Sequence, residues 1–145
     1  MSSRIYLQMS NELNFYGFSG AAALWKKYSN EELVHAGLVY ELLLDCDFLP
    51  ETPTLETPKC YDGNLVEICK ASYEHEQQIS KECTELYIQT QKNGDILAMQ
   101  LAQFLVKEQV EELSKTKLWL DKLNAFGDSK EALRLLDNEM GELAG

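Results

Sequence analysis

Long apolar runs are missing from this 145-residue chain. No stretch approaches the roughly 18 consecutive apolar residues of a membrane-spanning helix, and residues 1–7 contain no continuous apolar run of the kind found in secretory signals. We therefore expect no membrane partner and no export. Cys-x-x-Cys pairs are missing as well, so the four cysteines are not expected to form a structural zinc site. We expect them to be reduced thiols of a cytoplasmic protein.

Basic residues are scarce. The chain has 13 Lys and Arg residues against 24 Asp and Glu residues, which gives a net charge of −11. Nucleic acids and anionic membranes attract positively charged surfaces, so neither is expected as a partner. The acidic balance is compatible with binding cations.

Prolines are few, and all three lie within residues 50–58, where none interrupts a helical pattern. The positions where periodic segments begin or end carry Gly17, Gly63, Gly94 and Gly127. This punctuation predicts an all-α single domain over residues 1–145, with helices at about 1–14, 18–46, 64–92, 95–124 and 129–143. Because the connections are short, long and short, we expect a four-helix bundle with one long crossover loop, followed by a short fifth helix at the C-terminus.

The first predicted helix is about half as long as the next three. It spans roughly 21 Å at a rise of 1.5 Å per residue, whereas each of the others spans roughly 43 Å. A truncated first helix leaves apolar stripes of its partners uncovered. We therefore expect either another segment to cover them or a native start upstream of Met1.

Each of the three long helices carries a stripe of inward-facing positions with glutamate near its middle. The second helix presents Leu24, Tyr28, Glu32, His35, Val39 and Leu42. The third presents Leu65, Cys69, Ser72, Glu76, Ile79, Cys83 and Leu86. The fourth presents Leu101, Leu105, Glu108, Glu112, Thr116, Trp119 and Leu123. Because Lys70, Lys81 and Lys107 fall outside these stripes, little basic charge is expected near the glutamates.

Glutamates within such stripes indicate metal binding. A buried carboxylate without a partner is costly, so it is normally neutralised, paired or bound to a metal. Glu32 and His35 are three residues apart on one helical face and can reach the same ion. Carboxylates with one imidazole suit iron or manganese better than structural zinc. The alternative is a solvated acidic face, the usual environment of any single glutamate, but agreement among three helices favours a metal site.

Three stretches carry a resemblance to the bacterial non-haem ferritin family, and the similarity extends from about Met1 to Leu143. They are Glu31-Glu32-Leu-Val-His35, Tyr73-Glu-His-Glu76-Gln and Glu108-Gln-Val-Glu111-Glu112. The resemblance implies a ferritin-like four-helix bundle with a di-iron centre. In that centre Glu32 would bridge two irons, and His35 would complete the first iron site. Glu76 and Glu112 would hold the second iron, with Gln109 orienting oxygen or water.

The resemblance also implies two further features. Glu31, Glu108 and Glu111 resemble the ligands of an additional third iron site, and Tyr6 matches a tyrosine that donates electrons. For Tyr6, a buried tyrosine with a hydrogen bond is the alternative.

The sequence departs from the family at one ligand. The glutamate that the family supplies from the first helix aligns two positions before Met1, and Glu12 lies roughly 20 Å further along the helix, too far to replace it. The first iron site is therefore expected to be impaired. Haem is not expected, because haem-binding relatives use a methionine of the second helix and no Met lies between Met9 and Met99.

The resemblance implies an iron-storage protein and ferroxidase, which oxidises Fe(II) with O2 or H2O2 and stores ferric mineral in a homo-oligomeric, 24-subunit cage. The fifth helix carries an apolar face formed by Ala132, Leu133, Leu136 and Met140. The resemblance implies that this face meets other subunits at a four-fold axis; the alternative is that it packs on its own bundle. Two other functions are considered. One is a ferritin-like iron-binding subunit without ferroxidase activity, and the weaker one is an acidic helical interaction protein.

Overall fold

A computed structural model of the chain describes residues 1–145 and contains five helices and no strand. The helices are α1 (Ser2–Phe15), α2 (Ser19–Asp45), α3 (Leu65–Asn93), α4 (Ile96–Phe126) and α5 (Lys130–Ala144). Each begins and ends within two residues of the bounds predicted from the sequence. None of them combines the length and the apolar character that a membrane crossing requires.

Local backbone chemistry explains where α4 and α5 begin. Gly94, between α3 and α4, has a φ of 69°, in the left-handed region that glycine adopts without strain. Asp95 then caps α4, because its carboxylate accepts a hydrogen bond of 3.0 Å from the backbone N–H of Ala98. The hydroxyl of Ser129 caps α5 in the same way, accepting from the N–H of Ala132 at 3.2 Å.

The chain forms two compact units. The first contains residues 1–68 and 128–145, with α1, α2, the beginning of α3 and α5. The second contains residues 69–127, with the rest of α3 and α4. The single domain expected from the sequence stays a prediction.

In the first unit, α1 packs against the first half of α2. The Ser10 hydroxyl donates to the carbonyl of Ala22 at 2.8 Å, and the Ser29 hydroxyl donates to the carbonyl of Ser3 at 2.8 Å. The buried apolar side chains of the two helices are Tyr6, Met9, Leu13, Ala21, Ala22, Leu24, Trp25 and Tyr28. No residue of α2 beyond Ser29 is buried. The predicted stripe of α2 is therefore buried at its beginning and half-buried from Glu32 onward.

The start of α2 also packs against α5. Leu136 and Met140 of α5 are buried. A Cβ atom added at Gly20 would overlap the backbone carbonyl of Asp137, so only glycine allows the two helices to approach this closely.

Two polar contacts strengthen this packing. The Asp137 carboxylate accepts a hydrogen bond of 2.7 Å from the N–H of Ala21, in the first turn of α2. The Lys27 ammonium donates to the carbonyl of Leu143 at 2.9 Å, near the end of α5. The Asp137 carboxylate lies at the N-terminus of α2 and the Lys27 ammonium lies at the C-terminus of α5, and the helix dipoles favour these charges at these ends. The apolar face of α5 thus packs within the chain, while a four-fold contact stays a prediction.

The second unit buries more polar than apolar side chains. The buried residues are Cys69, Ser72, Glu76 and Thr90 on α3 and Ala102, Gln109, Glu112, Thr116 and Trp119 on α4. Six of them lie at predicted stripe positions. In the first half of α4, the buried positions lie one residue after the predicted stripe positions. Ala102 and Gln109 are buried, whereas Leu101 and Glu108 are half-buried.

Candidate metal-binding residues

Glu32 and His35 lie one turn apart on α2. The Nδ1 atom of His35 is 3.4 Å from Oε1 of Glu32, and both side chains are partly exposed. The spacing of three residues produces this approach on one helical face. The structure therefore brings together the Glu–His pair that the sequence predicts.

Glu76 and Gln109 form a second pair, between α3 and α4. Glu76 is only 1% exposed and Gln109 is also buried. With the Gln109 amide oriented so that both its atoms have suitable partners, its nitrogen donates to Oε2 of Glu76 at 3.3 Å and to the backbone carbonyl of Glu76 at 3.2 Å. Gln109 therefore holds the carboxylate of a predicted iron ligand, a contact that the sequence did not predict.

Glu112, the other predicted ligand of the second iron, is 6% exposed. Its Oε1 atom lies 3.1 Å from Nζ of Lys115, which also lies 3.0 Å from Oε1 of Glu111. The expectation of little basic charge near the glutamates is wrong here. Lys115 lies outside the stripe, but its long side chain reaches back over the preceding turn. Its spacing of three residues from Glu112 and four from Glu111 is the signal that could have predicted the contacts.

The residues expected at a third iron site are more exposed. The side chain of Glu111 is 66% exposed, whereas Glu31 and Glu108 are half-buried. Throughout the structure, no group of three or more His, Cys, Asp or Glu side chains is arranged to hold a metal ion. The di-iron centre and the third site both stay predictions.

Tyr6 lies in an aromatic cluster of the first unit. It is buried, and its ring meets that of Tyr28 edge-on, with centroids 6.1 Å apart. Tyr28 in turn meets Trp25 edge-on at 5.8 Å. Edge-to-face contacts of this kind stabilise a core beyond the area that they bury. Electron donation by Tyr6 stays a prediction.

Glu12 has a structural role that the sequence did not predict. Its buried carboxylate accepts hydrogen bonds from the N–H groups of Tyr61 at 2.7 Å and Gly63 at 3.4 Å, and from the side-chain amide of Gln8 at 3.0 Å. Burial alone would raise the pKa of this carboxyl, but the hydrogen bonds from Tyr61 and Gln8 outweigh burial and hold the pKa below its ordinary value. Glu12 thus fastens the end of the long crossover loop to α1.

Comparison with known proteins places this chain in a family. The family model for a ferritin-like domain matches residues 1–126. The bacterial non-heme ferritin of Escherichia coli is 34% identical over 98% of this chain and 86% of the relative. A probable bacterial non-heme ferritin-like protein of Haemophilus influenzae is 33% identical over 99% of this chain and 87% of the relative.

A solved structure is also similar. The open pore ferritin from the archaeon Archaeoglobus fulgidus superposes with a TM-score of 0.92 and 26% identity, covering 97% of this chain and 86% of the other. Five helices without a strand agree with a four-helix bundle and a short C-terminal helix. These matches confirm the resemblance drawn from the sequence: the chain belongs to the ferritin family and is related to the bacterial non-heme ferritins.

Proposed function

We propose that this protein stores iron and oxidises Fe(II) at a di-iron centre, with O2 or H2O2 as the oxidant. Family membership supports iron storage. The observation that carries the proposal for this chain is the burial of two carboxylates, Glu76 and Glu112, on helices where packing alone would favour apolar residues. Iron is the substrate and cargo, and its oxidation transfers one electron from each Fe(II) to the oxidant.

The proposed roles follow from the chemistry of each side chain. Glu32 would bridge both irons, and His35 would supply the imidazole of the first site. Glu76 and Glu112 would hold the second iron. Carboxylates are hard oxygen ligands that suit iron in this role. Gln109 would keep Glu76 in position through the hydrogen bonds described above, as outer hydrogen-bond partners commonly orient metal ligands.

We also propose that the protein assembles into a homo-oligomeric shell, with 24 subunits as the family resemblance implies. Several large apolar side chains of α2 and the loop after it are exposed, which supports an interface. They are Leu33, Val34, Leu44, Phe48 and Leu49. Light scattering coupled to gel filtration measures the mass of the assembly, and a monomer at micromolar concentration would contradict the shell.

The oxidation proposal is tested by adding Fe(II) to purified iron-free protein and following both oxygen consumption and the ultraviolet absorbance of Fe(III). We expect oxidation faster than in protein-free buffer. Glu32→Ala should abolish it at both iron positions, because a bridging carboxylate serves both ions. Glu76→Ala should mainly impair the second. The matched controls are Glu41→Ala on α2 and Glu74→Ala on α3, both exposed positions, and these should behave as the wild type.

Each outcome has a distinct meaning. Oxidation at the buffer rate would overturn the ferroxidase proposal, and iron binding without oxidation would identify a non-oxidising iron-binding subunit. Wild-type stoichiometry in Glu32→Ala would show that Glu32 bridges no irons.

A further inference from the structure

We infer that Lys115 is a counter-ion of the proposed iron site. Its ammonium group pairs with the carboxylates of Glu111 and Glu112 and competes with an incoming cation for them. The inference rests on the proposed function, in which Glu112 is a ligand of iron. It adds a residue that regulates the affinity of that site.

The geometry of this ion-pair trio is the first argument. Nζ of Lys115 lies 3.0 Å from Oε1 of Glu111 and 3.1 Å from Oε1 of Glu112, so one ammonium serves both carboxylates. The two acidic residues lie three and four positions before the lysine, where helix geometry allows simultaneous contact. The trio carries one net negative charge, so the lysine neutralises part of the charge that would attract a cation.

Burial distinguishes this lysine from others on α4. The side chain of Lys115 is 27% exposed and that of Glu112 is 7% exposed. Lys117, two residues further on, pairs with Asp121, but both of those side chains are more than half exposed. Solvent screens an exposed pair strongly, whereas a partly buried pair keeps more of its attraction. Solvent therefore screens the Lys115–Glu112 pair less than it screens the Lys117–Asp121 pair.

Competition with metal follows from electrostatics. A divalent ion bound by Glu112 would take the carboxylate that Lys115 holds, and its charge would repel the nearby ammonium. Binding of a divalent ion at Glu112 therefore weakens the Lys115–Glu112 pair and drives the ammonium away from the ion. In the empty protein, the same pair compensates a carboxylate that would otherwise be buried at a cost. Lys115 thus stabilises the empty site and weakens cation binding there.

The test uses Co(II), a divalent ion that can be followed by calorimetry and visible absorbance without oxidation of the metal. Lys115→Met should bind Co(II) about tenfold more tightly than the wild type, equivalent to about 1.4 kcal/mol. Lys115→Arg keeps the positive charge and should remain close to the wild type. Lys117→Met removes the same charge from the same helix and is the matched control, with an expected change of less than about twofold because exposed pairs contribute little.

A second substitution locates the effect. Adding Glu112→Gln to Lys115→Met should abolish the gain in Co(II) affinity, because that gain depends on the Glu112 carboxylate that Lys115 no longer holds. Thermal unfolding of the metal-free proteins checks that each variant folds. If Lys115→Met does not fold, Lys115→Gln, which keeps a polar side chain without the positive charge, replaces it, and we again expect tighter Co(II) binding.

The outcomes separate this inference from the proposed function. If the wild type binds Co(II) and oxidises Fe(II), but Lys115→Met and Lys117→Met bind Co(II) equally, the counter-ion role is overturned and the proposed function stands. If neither the wild type nor Lys115→Met binds Co(II) or Fe(II), the proposed function fails and the inference fails with it. Tighter binding in Lys115→Met that persists after Glu112→Gln would also overturn the inference.

Discussion

The side-chain amide of Gln109 on α4 donates to both the carboxylate and the backbone carbonyl of Glu76 on α3. One amide group therefore ties a buried acidic side chain to the neighbouring helix. Because Glu76 is almost completely buried, the orientation of its carboxylate depends on such donors rather than on water. The position of this proposed iron ligand is thus set before iron binds.

Gln109→Leu should lower the free energy of unfolding of the iron-free protein by about 1–3 kcal/mol, because it removes the hydrogen bonds that Gln109 donates to the buried Glu76. Urea-induced unfolding measures the change. The matched control is Gln103→Leu, at an exposed position of the same helix, which should change stability by no more than about 0.5 kcal/mol. Equal stability of the two variants would show that the Gln109–Glu76 hydrogen bonds contribute nothing to stability.

Glu12→Gln should also destabilise the protein, by about 1.5–3 kcal/mol at neutral pH, because three donors lose their charged acceptor. The donors are the N–H groups of Tyr61 and Gly63 and the amide of Gln8. Proteolysis within the crossover loop should become faster as its end is released from α1. Glu56→Gln, at an exposed position in that loop, is the control. Loop cleavage at equal rates in both variants would contradict the fastening role.

The contribution of Glu12 should depend on pH in a defined direction. Burial raises the pKa of this carboxyl, but the hydrogen bonds outweigh burial, so the folded-state pKa lies below the ordinary value of 4.5. A group with a lowered folded-state pKa stabilises the protein above its unfolded pKa and loses that effect as the pH falls through the folded value. The stability difference between the wild type and Glu12→Gln should therefore be full at neutral pH and shrink below pH 4.5. A difference that is constant across that range would refute the assignment.

Gly20→Ala should loosen α5, because the new Cβ would overlap the backbone of Asp137. Overpacking of this kind costs about 1–3 kcal/mol. Gly37→Ala is a matched control on the same helix, since no atom lies within 4 Å of its added Cβ. It should instead stabilise α2 by roughly 0.5–1 kcal/mol. Hydrogen exchange of the α5 amides should accelerate only in Gly20→Ala, and unchanged exchange there would contradict the docking.

Cys69 should resist thiol reagents in the folded protein, whereas Cys60 should react. Burial raises the pKa of the Cys69 thiol to about 12. A hydrogen bond from the backbone of Asp62 lowers the pKa of the Cys60 thiol, but the interactions with Glu12 outweigh it and raise the pKa. Cys60 is nevertheless exposed and within reach of a reagent. Only a thiolate reacts readily, so Cys69 lacks both the reactive form and access. Labelling with a disulfide reagent, followed by mass spectrometry, identifies the modified residue. Cys60→Ser should remove a fast phase that Cys69→Ser leaves intact, and rapid labelling of Cys69 would overturn this prediction.

Of the contacts made by the candidate site residues, one was predictable from the sequence and the others were not, for physical reasons. The approach of His35 to Glu32 was predicted, because a spacing of three residues produces it within one helix. The contacts of Lys115 were missed because the stripe pattern assigns each residue one direction, whereas a long side chain can lean over the preceding turn. The contact of Gln109 with Glu76 joins two helices, so no spacing within either helix encodes it.

The sequence by itself determined the five helices, their connections and the candidate ligands. Helix ends depend on local glycine, proline and capping residues, and amphipathic stripes depend on the 3.6-residue period. Only the tertiary structure decided that Glu12 fastens the N–H of Tyr61, 49 positions away, and that Asp137 binds the N–H of Ala21, 116 positions away. Only the tertiary structure decided that α2 is buried no further than Ser29. Such features depend on which helix faces pack together, and local periodicity shows that a face is apolar without showing what covers it.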